Sequence, residues 1–172
     1  RGRFSARMTC EAEKRPRQKQ RCVVDFKGII GQKEIIGGLQ KSLESGKTGH
    51  AYIFSGPKGI GKKTLARTFS ALLLCTDHST GNCCGDCMPC RLIDNGSNPD
   101  FYEINPENGT IGVDEIRNIC SDIVIRPLYS GKKVYLIIDA ERMTIQAQNS
   151  LLKTLEDPPV HGVIILTATN YE

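Results

Sequence analysis

Nine residues, Gly56-Pro57-Lys58-Gly59-Ile60-Gly61-Lys62-Lys63-Thr64, constrain this chain more than any other stretch. They follow the apolar run Ala51-Tyr52-Ile53-Phe54 and open an amphipathic segment from Leu65 to Leu74. Strand, glycine-rich turn and helix in that order is the setting in which G-x-x-x-x-G-K-[ST] cradles phosphate. The glycines let backbone N–H groups turn inward around phosphate oxygens, and the helix N-terminus adds the positive end of its dipole. Lys62 is placed to reach the β- and γ-phosphates. The candidate phosphate-binding set is therefore Gly56, Gly59, Gly61, Lys62, Lys63 and Thr64. One letter departs from the motif: Lys63 stands where a hydroxyl should hold Mg²⁺.

That departure has a physical consequence. Two unit charges 4 Å apart interact at about 4 kcal/mol with an effective dielectric of 20, so an ammonium facing a divalent ion feels roughly twice that. An inward Lys63 excludes the metal, and an outward one still supplies no hydroxyl ligand. Thr64 cannot restore the motif by a shift of register, which would need glycine at Pro57 and at Lys62. A working site also needs an acid at the end of a neighbouring parallel strand, near the metal. Asp139 ends the apolar run Val134-Tyr135-Leu136-Ile137-Ile138, but Ala140 follows it where a second acid is required. Glu141 is one residue further on and is expected to leave the strand on another bearing. The site reads as degenerate: phosphate or Mg-free nucleotide binding at most, with no efficient hydrolysis and no catalytic residue.

The rest of the chain supplies strands and helices in alternation. Ile35, Ile36, Leu39 and Leu43 have helical spacing, ended by Ser45-Gly46. Phe101 to Ile104 reads as a short strand, and Val113-Asp114-Glu115-Ile116 opens a helix with acids in its first turn. Residues 134–139 form the strongest strand, apolar on both faces as a central parallel strand is. Thr144 caps a helix with Ala147, Leu151, Leu152 and Leu155 on its inner face, and Val163 to Leu166 is the last strand. Lys132-Lys133 reads as a solvated turn, and His50 and His161 as loop histidines. Such alternation implies right-handed crossovers and a parallel sheet covered on both sides, an α/β three-layer fold. No run approaches 18 apolar residues, so no membrane-spanning helix is expected.

Eight cysteines without a secretion signal suggest thiols or a metal site rather than disulfides, and five of them lie between positions 75 and 90. Cys84-x2-Cys87-x2-Cys90 with Cys75 upstream offers four thiolates to one tetrahedral Zn²⁺ in a small knuckle of turns. Cys83 is a fifth thiol that could replace Cys84. Four cysteine ligands leave no open position for water, so the expected role is structural.

The net charge of +4 is unevenly spread. Residues 1–21 hold eight Lys/Arg against Glu11 and Glu13, which leaves the remainder mildly acidic. Residues 1–22 lack periodicity and large apolar residues, and read as a disordered basic leader ahead of one folded unit, 23–172, carrying the 75–90 zinc module as an insertion. The chain stops just after a strand and so reads as a fragment.

With these residues in view, the chain resembles the AAA+ module of bacterial DNA polymerase III clamp-loader subunits over about residues 26–170. The resemblance is carried by Phe26-x3-Ile30-Gly31-Gln32, His50-Ala51-Tyr52-Ile53-Phe54, the phosphate loop, the four-cysteine insertion, Gly112-Val113-Asp114-Glu115-Ile116-Arg117, and Asn149 to Pro159. It implies an AAA+ P-loop NTPase-like fold and a cytoplasmic subunit of a five-membered ring. That ring includes gamma/tau and delta, opens the sliding clamp and places it on primer-template DNA. Within the family, Lys63, Ile138 and Asp139-Ala140 match the stator-like delta-prime pattern, with the ATP-hydrolysing gamma/tau motor as the alternative. The family's lid, its collar and its Ser-Arg-Cys motif would lie beyond Glu172. Arg117 and Arg126 could meet DNA phosphates in such a ring, or be ordinary surface charge.

Overall fold

The computed structural model describes residues 26, 29, 31–77, 82–106 and 109–169. The basic leader at 1–22 and Ile30 of the resemblance lie outside the described residues. In chain order the elements are α1 (Lys33–Glu44), β1 (Ala51–Ser55), α2 (Lys62–Leu74), α3 (Met88–Asp94), β2 (Phe101–Ile104), α4 (Val113–Asp122), β3 (Lys133–Ile137), α5 (Ile145–Glu156) and β4 (Gly162–Ala168). A 3₁₀ turn, Ala140–Arg142, lies between β3 and α5.

The four strands form one parallel sheet in the order β1-β4-β3-β2. A chain can run parallel strands only by crossing over the sheet, and each crossover here carries a helix. β3 and β4 are central and almost wholly buried, which explains their continuous β-branched and aliphatic composition. One face packs Leu65, Phe69 and Leu72 of α2, with Leu39 and Leu43 of α1, against Val134, Leu136, Val163 and Ile165. The other packs Ile116 and Ile119 of α4 and Ala147 and Leu151 of α5 against Tyr135, Ile137 and Ile164. Odd and even strand positions thus divide between two helical layers, as strand alternation requires.

α2 is the most deeply set helix, with Leu65, Ala66 and the whole run from Thr68 to Leu74 buried. Phe69 meets Tyr52 and Phe54 of β1 edge-on, ring centroids 4.8 and 6.3 Å apart. This packing fixes the helix start, and hence the phosphate loop, relative to the sheet. At the opposite end of the sheet, a Cβ on Gly162 would lie 2.6 Å from Cγ1 of Ile123, so only glycine lets the end of α4 close on β4. His161 Nε2, 3.0 and 3.1 Å from the carbonyls of Ile123 and Ile125, holds the same corner.

Two expectations change. Lys133 is no solvated turn residue: it starts β3 and is only 6% exposed. Its ammonium lies 2.9 Å from Asp122 Oδ2 and donates to the Asp122 carbonyl, while Tyr135 donates its hydroxyl to the same carboxylate at 2.7 Å. Burial works against that carboxylate, yet Lys133 and Tyr135 outweigh it and hold Asp122 below the usual range. The third strand also ends at Ile137 rather than Asp139, because residue 139 adopts a left-handed conformation, φ 52°.

Candidate functional site

The phosphate loop hangs from the C-terminal edge of the sheet, where parallel α/β sheets place their ligands. Gly56 donates its N–H to the Ala168 carbonyl at 3.2 Å, which ties the loop to β4. Gly59 and Gly61 have φ of 85° and 92°, conformations that admit glycine almost alone and turn the chain into α2. Lys62 is the first residue of α2 and folds back over the loop, its ammonium donating to the carbonyls of Gly56 (2.6 Å) and Pro57 (3.0 Å).

A cavity of about 410 Å³ opens beside the loop, lined by Lys58, Gly59, Gly61, Lys62, Lys63, Asn105, Ile138, Asp139, Thr167 and Thr169. Of the six residues singled out in the loop motif, Gly59, Gly61, Lys62 and Lys63 reach it directly. Gly56 meets it through the Lys62 bond, and Thr64 faces a neighbouring cavity of about 320 Å³ with Arg67, Phe101 and Glu103. Thr64 therefore brings no hydroxyl to the phosphate side. In that second cavity Arg67 makes a two-pronged pair with Glu103, at 2.6 and 2.7 Å, which pins the middle of α2 to β2.

Asp139 reaches the first cavity as the sequence predicts, but not as a free ligand. Its N–H donates to Thr167 Oγ1 at 3.0 Å, and its carboxylate lies 3.8 Å from Nε of Arg142. The 3₁₀ turn curls Glu141 back so that its carboxylate accepts the N–H of Thr169 at 3.2 Å. Burial pushes the Glu141 carboxyl up, but hydrogen bonds from its own backbone and from Thr169, with the Lys62 charge, bring it below the ordinary range. Glu141 is not among the residues that line the cavity, but its carboxylate stands near enough to Lys62 for the two charges to interact. Asn105 was not singled out from sequence; its signal is its place one residue past β2 at the ligand-bearing sheet edge.

The second cluster sits at the far end of α2. Cys75 caps that helix, Cys84 lies in the following loop, Cys87 is the N-cap of α3 and Cys90 is in its first turn. The knuckle is therefore half helical rather than all turns. The four Sγ atoms lie within 4.8 Å of one another, and those of Cys75 and Cys87 are 4.0 Å apart. A tetrahedral site with metal–sulfur bonds of about 2.3 Å needs sulfur–sulfur edges of roughly 3.8 Å. The N–H groups of Cys84 and Cys87 donate to Cys75 Sγ (3.5 Å) and Cys84 Sγ (3.3 Å), bonds that steady thiolate ligands. Gly85 makes the tight turn at φ 72°. The arrangement fits a metal ion with four sulfur ligands.

Cys83 stays outside this set and packs in the core. Burial pushes its thiol up to about 12. At Cys87 burial also opposes ionisation, but hydrogen bonds from Thr76 and Cys90 pull the thiol down to about 6. Cys83 lies beside the cluster, in contact with Cys90, but the four mutually close sulfurs include Cys84 and not Cys83, so the geometry selects Cys84.

Among the described residues no helix is long and apolar enough to cross a membrane. The family model for the DNA polymerase III delta subunit matches residues 31–172. The chain is 40% identical over 144 residues to DNA polymerase III subunit tau of Bacillus subtilis, covering 84% of this chain and 25% of that protein. It is also 40% identical over 119 residues to DNA polymerase III subunit delta' of Pseudomonas aeruginosa, covering 68% of this chain and 36% of that one. Among solved structures, a DNA polymerase III gamma subunit-related protein from Thermotoga maritima superposes with a TM-score of 0.56 at 26% identity, covering 78% of this chain and 39% of that chain. Thermotoga maritima RuvB, at TM-score 0.51 and 18% identity, shares the fold, with 81% of this chain and 38% of that one covered. The chain spans between about a quarter and two fifths of the length of these relatives.

Proposed function

The chain belongs to the DNA polymerase III delta-subunit family of clamp-loader proteins, and from that premise we propose that it is the non-motor, delta-prime type of subunit. In this reading it joins gamma/tau-type and delta-type partners in a bacterial cytoplasmic ring that loads the sliding clamp onto primed DNA. Its own nucleotide site does not turn over, so its part is to hold neighbouring subunits in place.

One observation supports the reading: Lys63 lines the cavity beside the phosphate loop, at the motif position where a metal-binding hydroxyl belongs. The single strand-end acid supports it, since Asp139 is drawn toward Arg142 and Ala140 replaces the second acid. The similarity to tau covers more of the chain than the similarity to delta' and favours a motor subunit as the second reading. Steady-state phosphate release from ATP with Mg²⁺, measured alone and with gamma/tau-type and delta-type partners added, separates the two. The expected result is no turnover by this chain alone, with incorporation into the partner complex. Steady turnover by the isolated chain would overturn the proposal.

Cys75, Cys84, Cys87 and Cys90 are proposed to hold one structural Zn²⁺ per chain. All-sulfur coordination closes the ion to water, so its contribution is to fold the 75–90 insertion rather than to do chemistry.

A further inference from the structure

Mg²⁺ requires near-octahedral oxygen ligands, and protein sites supply them mostly as carboxylates and hydroxyls. The cavity beside the phosphate loop does not fit that demand. Position 63 offers an ammonium, Thr64 faces another cavity, and Thr167 Oγ1 already accepts the Asp139 N–H. The two acids are also engaged, Asp139 near Arg142 and Glu141 on the Thr169 amide. What the cavity does present is positive charge. Lys58, Lys62 and Lys63 line it against one carboxylate, Asp139. Lys58 and Lys63 make no hydrogen bond or ion pair among the described residues, so their ammonium groups remain available. Lys62 donates only to two loop carbonyls, bonds that phosphate oxygens can replace.

We propose that this cavity takes a polyphosphate chain as the free anion, a nucleoside di- or triphosphate without its divalent cation, with the Lys63 ammonium supplying the charge that Mg²⁺ would otherwise supply. The inference rests on the reading above that the site has no turnover, and it names what the site binds instead. The loop amides and Lys62 hold the terminal phosphates. Lys63, the next residue of α2, would neutralise part of the phosphate charge. A fully charged anion is then favoured over its Mg²⁺ complex, which carries two fewer negative charges.

Calorimetric titration of the full chain tests this with ATP and with inorganic tripolyphosphate, each in EDTA and in excess Mg²⁺. ATP should bind in EDTA and lose about fivefold or more in affinity when Mg²⁺ is added, by the worth of roughly one partly exposed ion pair. Lys63→Ala should lose a similar factor in EDTA, and Lys63→Thr should reverse the preference so that Mg²⁺ tightens binding. ATP binding more tightly than tripolyphosphate assigns the ligand as nucleotide; equal affinities assign it as the phosphate chain itself. Circular dichroism should show that both variants keep the fold, since Lys63 is only half-buried. Absence of ATP binding in EDTA, binding by the parent chain that Mg²⁺ leaves unchanged or tightens, or an unaltered Lys63→Ala overturns the inference. Phosphate release in the Mg²⁺ arm would instead strike the non-motor reading, so the two fail separately.

Discussion

α2 carries a ligand cluster at each end, and the two clusters differ in completeness. At its C-terminus Cys75 joins Cys84, Cys87 and Cys90, four donors of one kind converging within 4.8 Å. At its N-terminus the phosphate loop keeps its glycines and Lys62, while the groups that would bind a metal are replaced or turned aside. The cysteine cluster is compact, because all four candidate ligands come from one short stretch, residues 75–90. The loop site borrows from the ends of β2, β3 and β4, so its lining depends on several segments at once. A site assembled from several strand ends is easier to repurpose than one built within a single loop.

The largest effect expected is at the cysteine cluster. Cys87→Ser should reduce zinc from near one equivalent per chain to a small fraction by elemental analysis. Loss of the ion should destabilise the chain by about 4 kcal/mol, since metal loss is among the few single changes that reach that size. Chelation of the parent chain should reproduce the loss of stability. An unchanged melting temperature after complete zinc removal would contradict the structural role and erase the contrast with the loop.

The next effect lies just behind the same module. Asp100, only 2% exposed, accepts three backbone N–H groups, from Leu128, Tyr129 and Ser130, at 2.6 to 2.9 Å. Asn98 accepts the Asp100 N–H and donates to the Pro89 carbonyl of α3. The carboxylate thus links the cysteine module to the loop ahead of β3. Asp100→Ala strands three donors and should cost about 3 kcal/mol in chemical denaturation. It should leave zinc content unchanged, because none of the four ligands depends on it. Loss of zinc in this variant would show that the module is less self-contained than its ligand set suggests.

How much of this was legible in sequence follows from the range of the interactions. The strand–loop–helix about Gly56 to Thr64, the Thr144 cap, which accepts the Ala147 N–H at 3.3 Å, and the cysteine spacing are all local, and each lies where the sequence places it. The burial of Lys133 is not local: its partner Asp122 is 11 residues away and meets it only once α4 has packed on the sheet. The three amides on Asp100 are 28 to 30 residues distant, and no periodicity marks them. The bearing of Glu141 depends on a left-handed backbone at Asp139, a conformation rare for non-glycine residues and invisible to hydrophobic pattern. The choice of Cys84 over Cys83 depends on which sulfur the tertiary packing brings within 4.8 Å of the other three.

Glu141 also gives the smallest and most selective test of the loop site. Burial raises its carboxyl, but hydrogen bonds from its own backbone and from Thr169, with a smaller effect of the Lys62 charge, hold it below its unfolded value, so it contributes stability that is present above the unfolded carboxylate pKa of about 4.3. That contribution disappears as pH falls through the lower folded value. Because the side chain is mostly exposed, solvent screening limits it to roughly 0.3 kcal/mol. Glu141→Gln should therefore be slightly less stable than the parent at pH 7, and the gap should close in acid below pH of about 4. The same change removes a negative charge near Lys62 and should raise affinity for free ATP in EDTA. A loop site still organised around a metal predicts weaker ATP binding in excess Mg²⁺, because Glu141→Gln would then remove an acid that helps to attract it. Equal stability at both pH values, with ATP binding weakened in Mg²⁺ and unchanged in EDTA, would place Glu141 among the metal-attracting groups and narrow the difference between the two ends of α2.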